Sequence, residues 1–363
     1  MTNMTDVKSM VRPELIELRR KMMGMSQKEL ASKASITQGT LSKIEQGLRP
    51  ISDEQLDNLS TALDCPVTFF TQSERLYGGP ISANPMFRKK ASVSMKTLDK
   101  LIAEINVRII HIRKLLQFVD FEPEYQLPFY DPEDYEGAVE GIANNVRRAW
   151  YIPRGPIKNL VDVMERAGIV IIDCDMDDTG LSGVSYNIHG LPPLVFINKN
   201  QPMDRYRFTL AHELGHLVMH KSPSPTMEVE ADGFASEFLL PTNDIKRDLK
   251  DITLEKAAYL KPYWRASMGA LFYKAKQTGA ITPGQSDWIW RQMSARGYRT
   301  NEPIKLDVNG EEPTLLDEMF EYVKAELGYA KDELTSILNL NSWEIDALYY
   351  NKIKHGIGLR LVK

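Results

Sequence analysis

The stretch RFTLAHELGHLVMH, from Arg207 to His220, sets His212 and His216 four residues apart with Glu213 beside the first. On a helix that spacing stacks two imidazoles on one face, so both reach a single Zn²⁺ at roughly 2.0–2.1 Å. Glu213 is then placed to take a proton from an attacking water, the general-base role in metal-assisted hydrolysis. The same residues also suit an ordinary buried helix. Leu210, Ala211, Leu214, Leu217 and Val218 form an apolar face, and the small Gly215 suits close packing. A third ligand separates the two readings, because catalytic zinc takes three protein ligands and leaves one position for water.

MEVEADGFASEFLLP, which starts at Met227, supplies a candidate. Read as a helix, it lines up Glu228, Ala231 or Asp232, and Ala235 on one face. Glu228 completes a His, His, Glu set, and Asp232, one turn later, is placed to hydrogen-bond a ligand histidine from behind. Glu230 points elsewhere on such a helix and is the alternative third ligand. His220 lies one further turn along the face of His212 and His216. It suits a helix-end histidine favoured by the dipole better than a ligand, with polarisation of a scissile carbonyl as its other use. His111, His189 and His355 have no ligand-like spacing and read as incidental.

FTLAHELGHLVMH followed by EVEADGFASEFLLP resembles the ImmA/IrrE-type zinc metallopeptidases. RGPIKNLVDVMERAGIVI before the motif and LKPYWRASMGALFYKA after it extend the resemblance over roughly residues 140–280. In that family the acidic residue opening the E-x-x-A segment is the third ligand, which implies Glu228 here.

Other elements must hold these residues in place. EGAVEGIANNVRRAW and GPIKNLVDVMERAG read as amphipathic helices, the second ending at Gly168. IVIIDC and LVFINK read as short strands, with turn residues between them. Helices, strands and the motif helix together make an α+β unit. Beyond Pro241 the pattern is again mainly helical, with no repeat of fixed period.

The N-terminal third carries a different chemistry. From Pro13 to about Phe70 there are short helical segments and tight turns, and nothing that alternates like a strand. Ser26 caps a helix from Gln27, and Thr37 caps a second from Gln38. Leu30, Ala31 and Ala34 on the first meet Leu41 and Ile44 on the second, the helix-turn-helix arrangement. With the second helix in a major groove, Gln38, Thr40 and Lys43 face base edges, while Gln27, Lys28 and Arg49 suit the phosphate backbone. Residues 1–50 hold nine Lys/Arg against five Asp/Glu in a chain of net charge −4, so a basic segment sits on an acidic protein. SQKELASKASITQGTLSKIEQGLRPIS followed by LDNLSTALDC resembles the Cro/CI-like (XRE) helix-turn-helix repressors over about sixty residues. The resemblance implies homodimers on DNA operators with two half-sites.

Composition bounds the rest. Apolar content of 43% with 26% charged residues is that of a globular protein, and no apolar run approaches the twenty or so residues that span a bilayer. The N-terminus has no apolar signal-like run, so the expectation is a cytoplasmic protein. Cys65 and Cys174 are too few and too far apart for a disulfide framework, and a metal here relies on His and carboxylate. SMKTLDKLIAEINVRIIHIRKLLQFV, Ser94 to Val119, reads as one long amphipathic helix with a basic face.

The expected architecture is multidomain and mainly α, with an α+β zincin-like peptidase domain and an N-terminal five-helix-type helix-turn-helix domain. Its expected parts are a DNA-binding domain over 1–72, a linker over 73–93 and a long helical arm over 94–130. A metallopeptidase domain over 131–250 and a C-terminal helical region over 251–363 follow. The expected function is a DNA-binding transcriptional regulator with a zinc endopeptidase domain. It cleaves itself or a partner repressor in stress, prophage or mobile-element control. The competing expectation is a non-catalytic regulator or antitoxin that keeps the zincin fold as a sensor or scaffold.

Overall fold

The computed structural model describes residues 10–78, 94–136, 138–306 and 311–350. Residues 79–93 of the expected linker, and His355, lie outside the described residues. The described chain divides into two compact units, one from 10–78, 94–121 and 316–350, the other from 122–315. No helix among the described residues is long and apolar enough to cross a membrane.

The first unit opens with α1 (Pro13–Met22), α2 (Gln27–Lys33), α3 (Gln38–Glu45) and α4 (Asp53–Ala62), closed by a 3-10 turn over Val67–Thr71. Local chemistry sets the starts. Pro13 stands in the first turn of α1, where its missing N–H costs nothing. Ser26 and Glu29 form a reciprocal capping box on α2, and Thr37 accepts from the Thr40 backbone at the head of α3. The turn between α2 and α3 puts Ser35 in the left-handed region, at φ 57°. Leu15, Ile16, Leu30, Leu41, Ile44 and Phe70 are buried together.

The long helix expected at Ser94–Val119 is α5 (Met95–Leu115), and it is not a free arm. Ala103, Val107 and Ile110 join the core of the helix-turn-helix. Its basic face is partly buried as well. Arg108 is paired with Glu104, and Lys114 donates to the Gln72 side chain at 2.6 Å and the Ile337 carbonyl at 2.9 Å. α14 (Leu315–Ala325), α15 (Lys331–Leu338) and α16 (Ser342–Ile345) belong largely to this unit. The guanidinium of Arg19, fully buried, donates to the carbonyls of Leu63 and Asp64 and meets Glu344 at 2.5 Å. His111, expected to be incidental, is buried on α5 with its Nδ1 2.7 Å from the Tyr349 hydroxyl.

The second unit holds a three-stranded sheet in the order β1-β3-β2, where β1 is Val170–Cys174, β2 Gly183–Tyr186 and β3 Leu194–Asn198. β1 runs parallel to β3 and β2 antiparallel to it. The two apolar runs are strands where the sequence places them. β2 corrects the reading of that intervening stretch as turns; GVSY is only four residues long and itself opens on a glycine. α6 (Val139–Ala149) and α7 (Leu160–Arg166) precede the sheet, and α8 (Met203–Met219) and α9 (Met227–Leu239) follow it. Next come the short α10 (Thr242–Ile245), then α11 (Leu254–Trp264), α12 (Met268–Gln277) and α13 (Pro283–Ala295).

Two glycines bring neighbours onto α8. A Cβ at Gly215 would stand 3.1 Å from Phe234 and 3.3 Å from the Ala231 backbone, both on α9. A Cβ at Gly183 of β2 would meet the Thr209 methyl at 2.7 Å and Glu213 Cγ at 3.3 Å. The front of α8 is held by Arg207, 1% exposed, which is paired with Glu311 and donates to the Ile157 carbonyl at 2.8 Å.

Candidate functional site

His212, Glu213 and His216 project from α8, and Glu228 and Asp232 from α9. Their meeting follows from the close contact at Gly215, since only a hydrogen there lets the two helix backbones approach. His212 Nε2 and His216 Nε2 lie 3.0 Å apart. Glu228 puts its carboxylate oxygens 3.5 Å from the first and 3.6 Å from the second. Among the described residues this trio is the group of His, Cys, Asp and Glu with ligand atoms close enough to share a metal ion.

The trio fits zinc. Ligands on a tetrahedron of roughly 2.0–2.1 Å radius stand about 3.3–3.4 Å from one another; the two Nε2 atoms are 3.0 Å apart, and Glu228 brings Oε2 to 3.5 Å from His212 and Oε1 to 3.6 Å from His216. Glu228 Oε1 is buried with no hydrogen-bond partner, which is costly unless a cation occupies the centre.

Each imidazole is oriented from behind. Asp232 Oδ1 lies 2.8 Å from His212 Nδ1, which leaves Nε2 for the centre. His216 Nδ1 lies 2.9 Å from His220 Nδ1, and His220 Nε2 lies 2.9 Å from Glu230. Glu230, the alternative third ligand, therefore faces His220 and is not in the trio. His189 is exposed and takes part in none of these contacts.

Charge divides the two ligand histidines. Burial disfavours a proton on His212, but Asp232, Glu228 and the charge of Glu213 outweigh it and hold the ring up at about 10. Burial, helped by the charges of His212 and His220, pushes His216 down to about 2. Burial also lowers His220, against the pull of Glu230.

Glu213 is 3% exposed. Burial pushes its carboxyl up, opposed by the His212 charge and by hydrogen bonds from Ser185. The Ser185 hydroxyl donates to Glu213 Oε2 at 2.7 Å. Sequence reasoning passed over Ser185 because β2 was not recognised. The available signal was the pair of strand formers, Val184 and Tyr186, on either side of it.

On the helix-turn-helix, Lys28, Gln38, Lys43 and Arg49 are exposed. Thr40 is half-buried, with its hydroxyl 2.9 Å from Thr37 and 3.4 Å from Arg49. Gln27 donates its side-chain amide to Glu45 at 2.8 Å, and Glu45 is also clasped by Arg20 at 2.6 and 2.9 Å. Gln27 thus fastens α2 to α3.

Residues 164–276 match the peptidase family model described as the IrrE N-terminal-like domain, and residues 16–70 match the helix-turn-helix model. The chain joins a helix-turn-helix module to an IrrE-like domain. The IrrE-like part is a metallopeptidase-type domain, and its match spans α8 and α9, the two helices that carry the trio. Two uncharacterized HTH-type transcriptional regulators, from Sinorhizobium medicae (strain WSM419) and Rhizobium meliloti (strain 1021), are each 39% identical over 64 residues, which is 18% of this chain. The chain spans about half the length of these relatives, 46% of each.

Proposed function

We propose that this protein is a DNA-binding regulator whose IrrE-like domain is a zinc-dependent endopeptidase, with itself or a partner repressor as substrate. The observation that carries the reading is the convergence of His212, His216 and Glu228, whose ligand atoms lie close enough to share one ion, with Glu213 buried beside them. A zinc ion held by those three residues supplies Lewis-acid polarisation of a peptide carbonyl and acidifies a water molecule.

The chain's own groups do the rest. Glu213, raised by burial, takes the proton of the attacking water and delivers it to the departing amine. Ser185 holds one carboxylate oxygen, so the other is fixed in direction and needs no reorganisation at the moment of transfer. Asp232 takes up the Nδ1 side of His212, so that Nε2 is the atom that would bind the ion. At the other module, Gln38 and Lys43 suit base edges of an operator, and Lys28 and Arg49 suit its phosphates. The resemblance of this module to dimeric repressors supports a homodimer on two half-sites.

Metal analysis and a cleavage assay on the full chain test the reading, with Glu213→Gln as control. Close to one zinc per chain is expected, with cleavage of the protein itself or of a repressor of the Cro/CI type, abolished in the variant. Protein that binds no zinc, or a Glu213→Gln variant that cuts as fast as wild type, would sink it.

A further inference from the structure

Behind His216 stands a third imidazole that the mechanism above does not use. His220 ends α8, its backbone N–H donating to the His216 carbonyl at 2.9 Å. Its side chain is 4% exposed and that of its partner Glu230 is 18% exposed. The ring touches His216 through Nδ1 and Glu230 through Nε2, each at 2.9 Å.

The proton positions along this chain are not free. A carboxylate only accepts, so His220 must carry its proton on Nε2 to face Glu230. A neutral His220 then offers Nδ1 as a lone pair, and His216 must answer with Nδ1–H. That assignment strips the proton from His216 Nε2, the atom 3.0 Å from His212 Nε2 and 3.6 Å from Glu228. The opposite assignment sets a bare His220 Nε2 against the Glu230 carboxylate, two acceptors 2.9 Å apart.

We infer that His220 and Glu230 are a positioning relay, Glu230 to His220 to His216, that fixes the His216 tautomer with Nε2 free for the metal. The inference rests on the zinc reading of the trio: an ion at His216 Nε2 leaves that ring its proton on Nδ1, and the contacts then run through a neutral His220 to Glu230. It also gives the two acidic residues of the E-x-E-x-D run on α9 beyond Glu228 separate tasks. Asp232 supports His212 directly, while Glu230 reaches His216 through a second ring.

Two measurements on the full chain test it. Competition with a chromophoric chelator gives zinc affinity for wild type, His220→Ala, Glu230→Ala and Glu230→Gln. Losses of ~10–100-fold are expected for the two alanine variants, with the glutamine variant, which keeps an accepting carbonyl, returning most of the affinity. Imidazole ¹⁵N shifts of the metal-free protein read the tautomer directly, with Nδ1–H at His216 expected in wild type and a mixture in Glu230→Ala. A wild-type His216 that carries its proton on Nε2, or alanine variants that bind zinc as wild type does, overturn the relay. If wild type binds no zinc at all, the zinc reading falls while the tautomer measurement still decides the relay, and it does so even where a variant does not fold.

Discussion

The hydroxyl of Ser185, on the second strand of the sheet, donates to Glu213 Oε2 across 2.7 Å in a pocket where Glu213 is 3% exposed. A strand residue remote in sequence from the HExxH motif thus holds the motif's only carboxylate.

Ser185→Ala removes that donor. Hydrogen bonds to charged groups contribute about 1.5–3 kcal/mol, so cleavage is expected to slow by ~10–100-fold while zinc content stays at the wild-type level. Steady-state rates with metal analysis on the same samples check this. An unchanged rate removes Ser185 from the catalytic geometry.

Gly183→Ala places a methyl 2.7 Å from the Thr209 methyl and 3.3 Å from Glu213 Cγ, so the second strand and α8 must separate. Overpacking of this kind costs about 1–3 kcal/mol. The midpoint of chemical denaturation is expected to fall, and the hydrolytic rate with it, since the Ser185 contact depends on the same approach. A variant as stable and active as wild type contradicts the packing described.

Glu344→Ala strips the carboxylate from the fully buried Arg19, leaving the charge with the Leu63 and Asp64 carbonyls, the Met22 thioether and the Phe69 ring. Breaking a buried pair from one side costs about 3–5 kcal/mol. Denaturation of the full chain should show a loss of that order in the unit that contains the helix-turn-helix. A loss below about 1 kcal/mol means the pair is solvated.

Acid should loosen the same unit through His111. Burial lowers its proton affinity well below the ordinary value, and Lys114, Arg108 and Arg19 add to the effect. A histidine kept neutral by folding contributes stability that is fully present above the unfolded pKa of about 6.5 and is lost as pH falls below it, by about 1.4 kcal/mol per pH unit. His111→Gln, which can still bond the Tyr349 hydroxyl, is expected to flatten the profile between about pH 6.5 and 5. Identical slopes in the two proteins exclude His111 as the source.

At the helix-turn-helix, Lys28→Ala and Arg49→Ala are each expected to reduce the salt dependence of DNA binding by about one phosphate contact. Gln38→Ala is expected to lower the preference for operator over random DNA. Gln27→Ala should act differently, through stability, because its amide is committed to Glu45. Equal loss of salt slope for Gln27→Ala and Lys28→Ala contradicts that assignment.

The sequence by itself determined what is local. Caps at Ser26 and Thr37, the helical spacing of His212 and His216, and the apolar runs of the first and third strands are written within a few residues of where they act. Helix periodicity and hydrogen-bond caps need no distant partner. Tertiary structure decided which remote groups meet. It brought Glu228 to the two histidines through the space at Gly215, tied Glu230 to His220, and recruited Ser185 from a four-residue strand. It also buried one face of the long helix at Met95–Leu115 in the helix-turn-helix core, where periodicity showed only that the face was apolar. These contacts depend on the removal of side chains from water between elements far apart in the chain, and nothing in the local spacing of either partner encodes that distance.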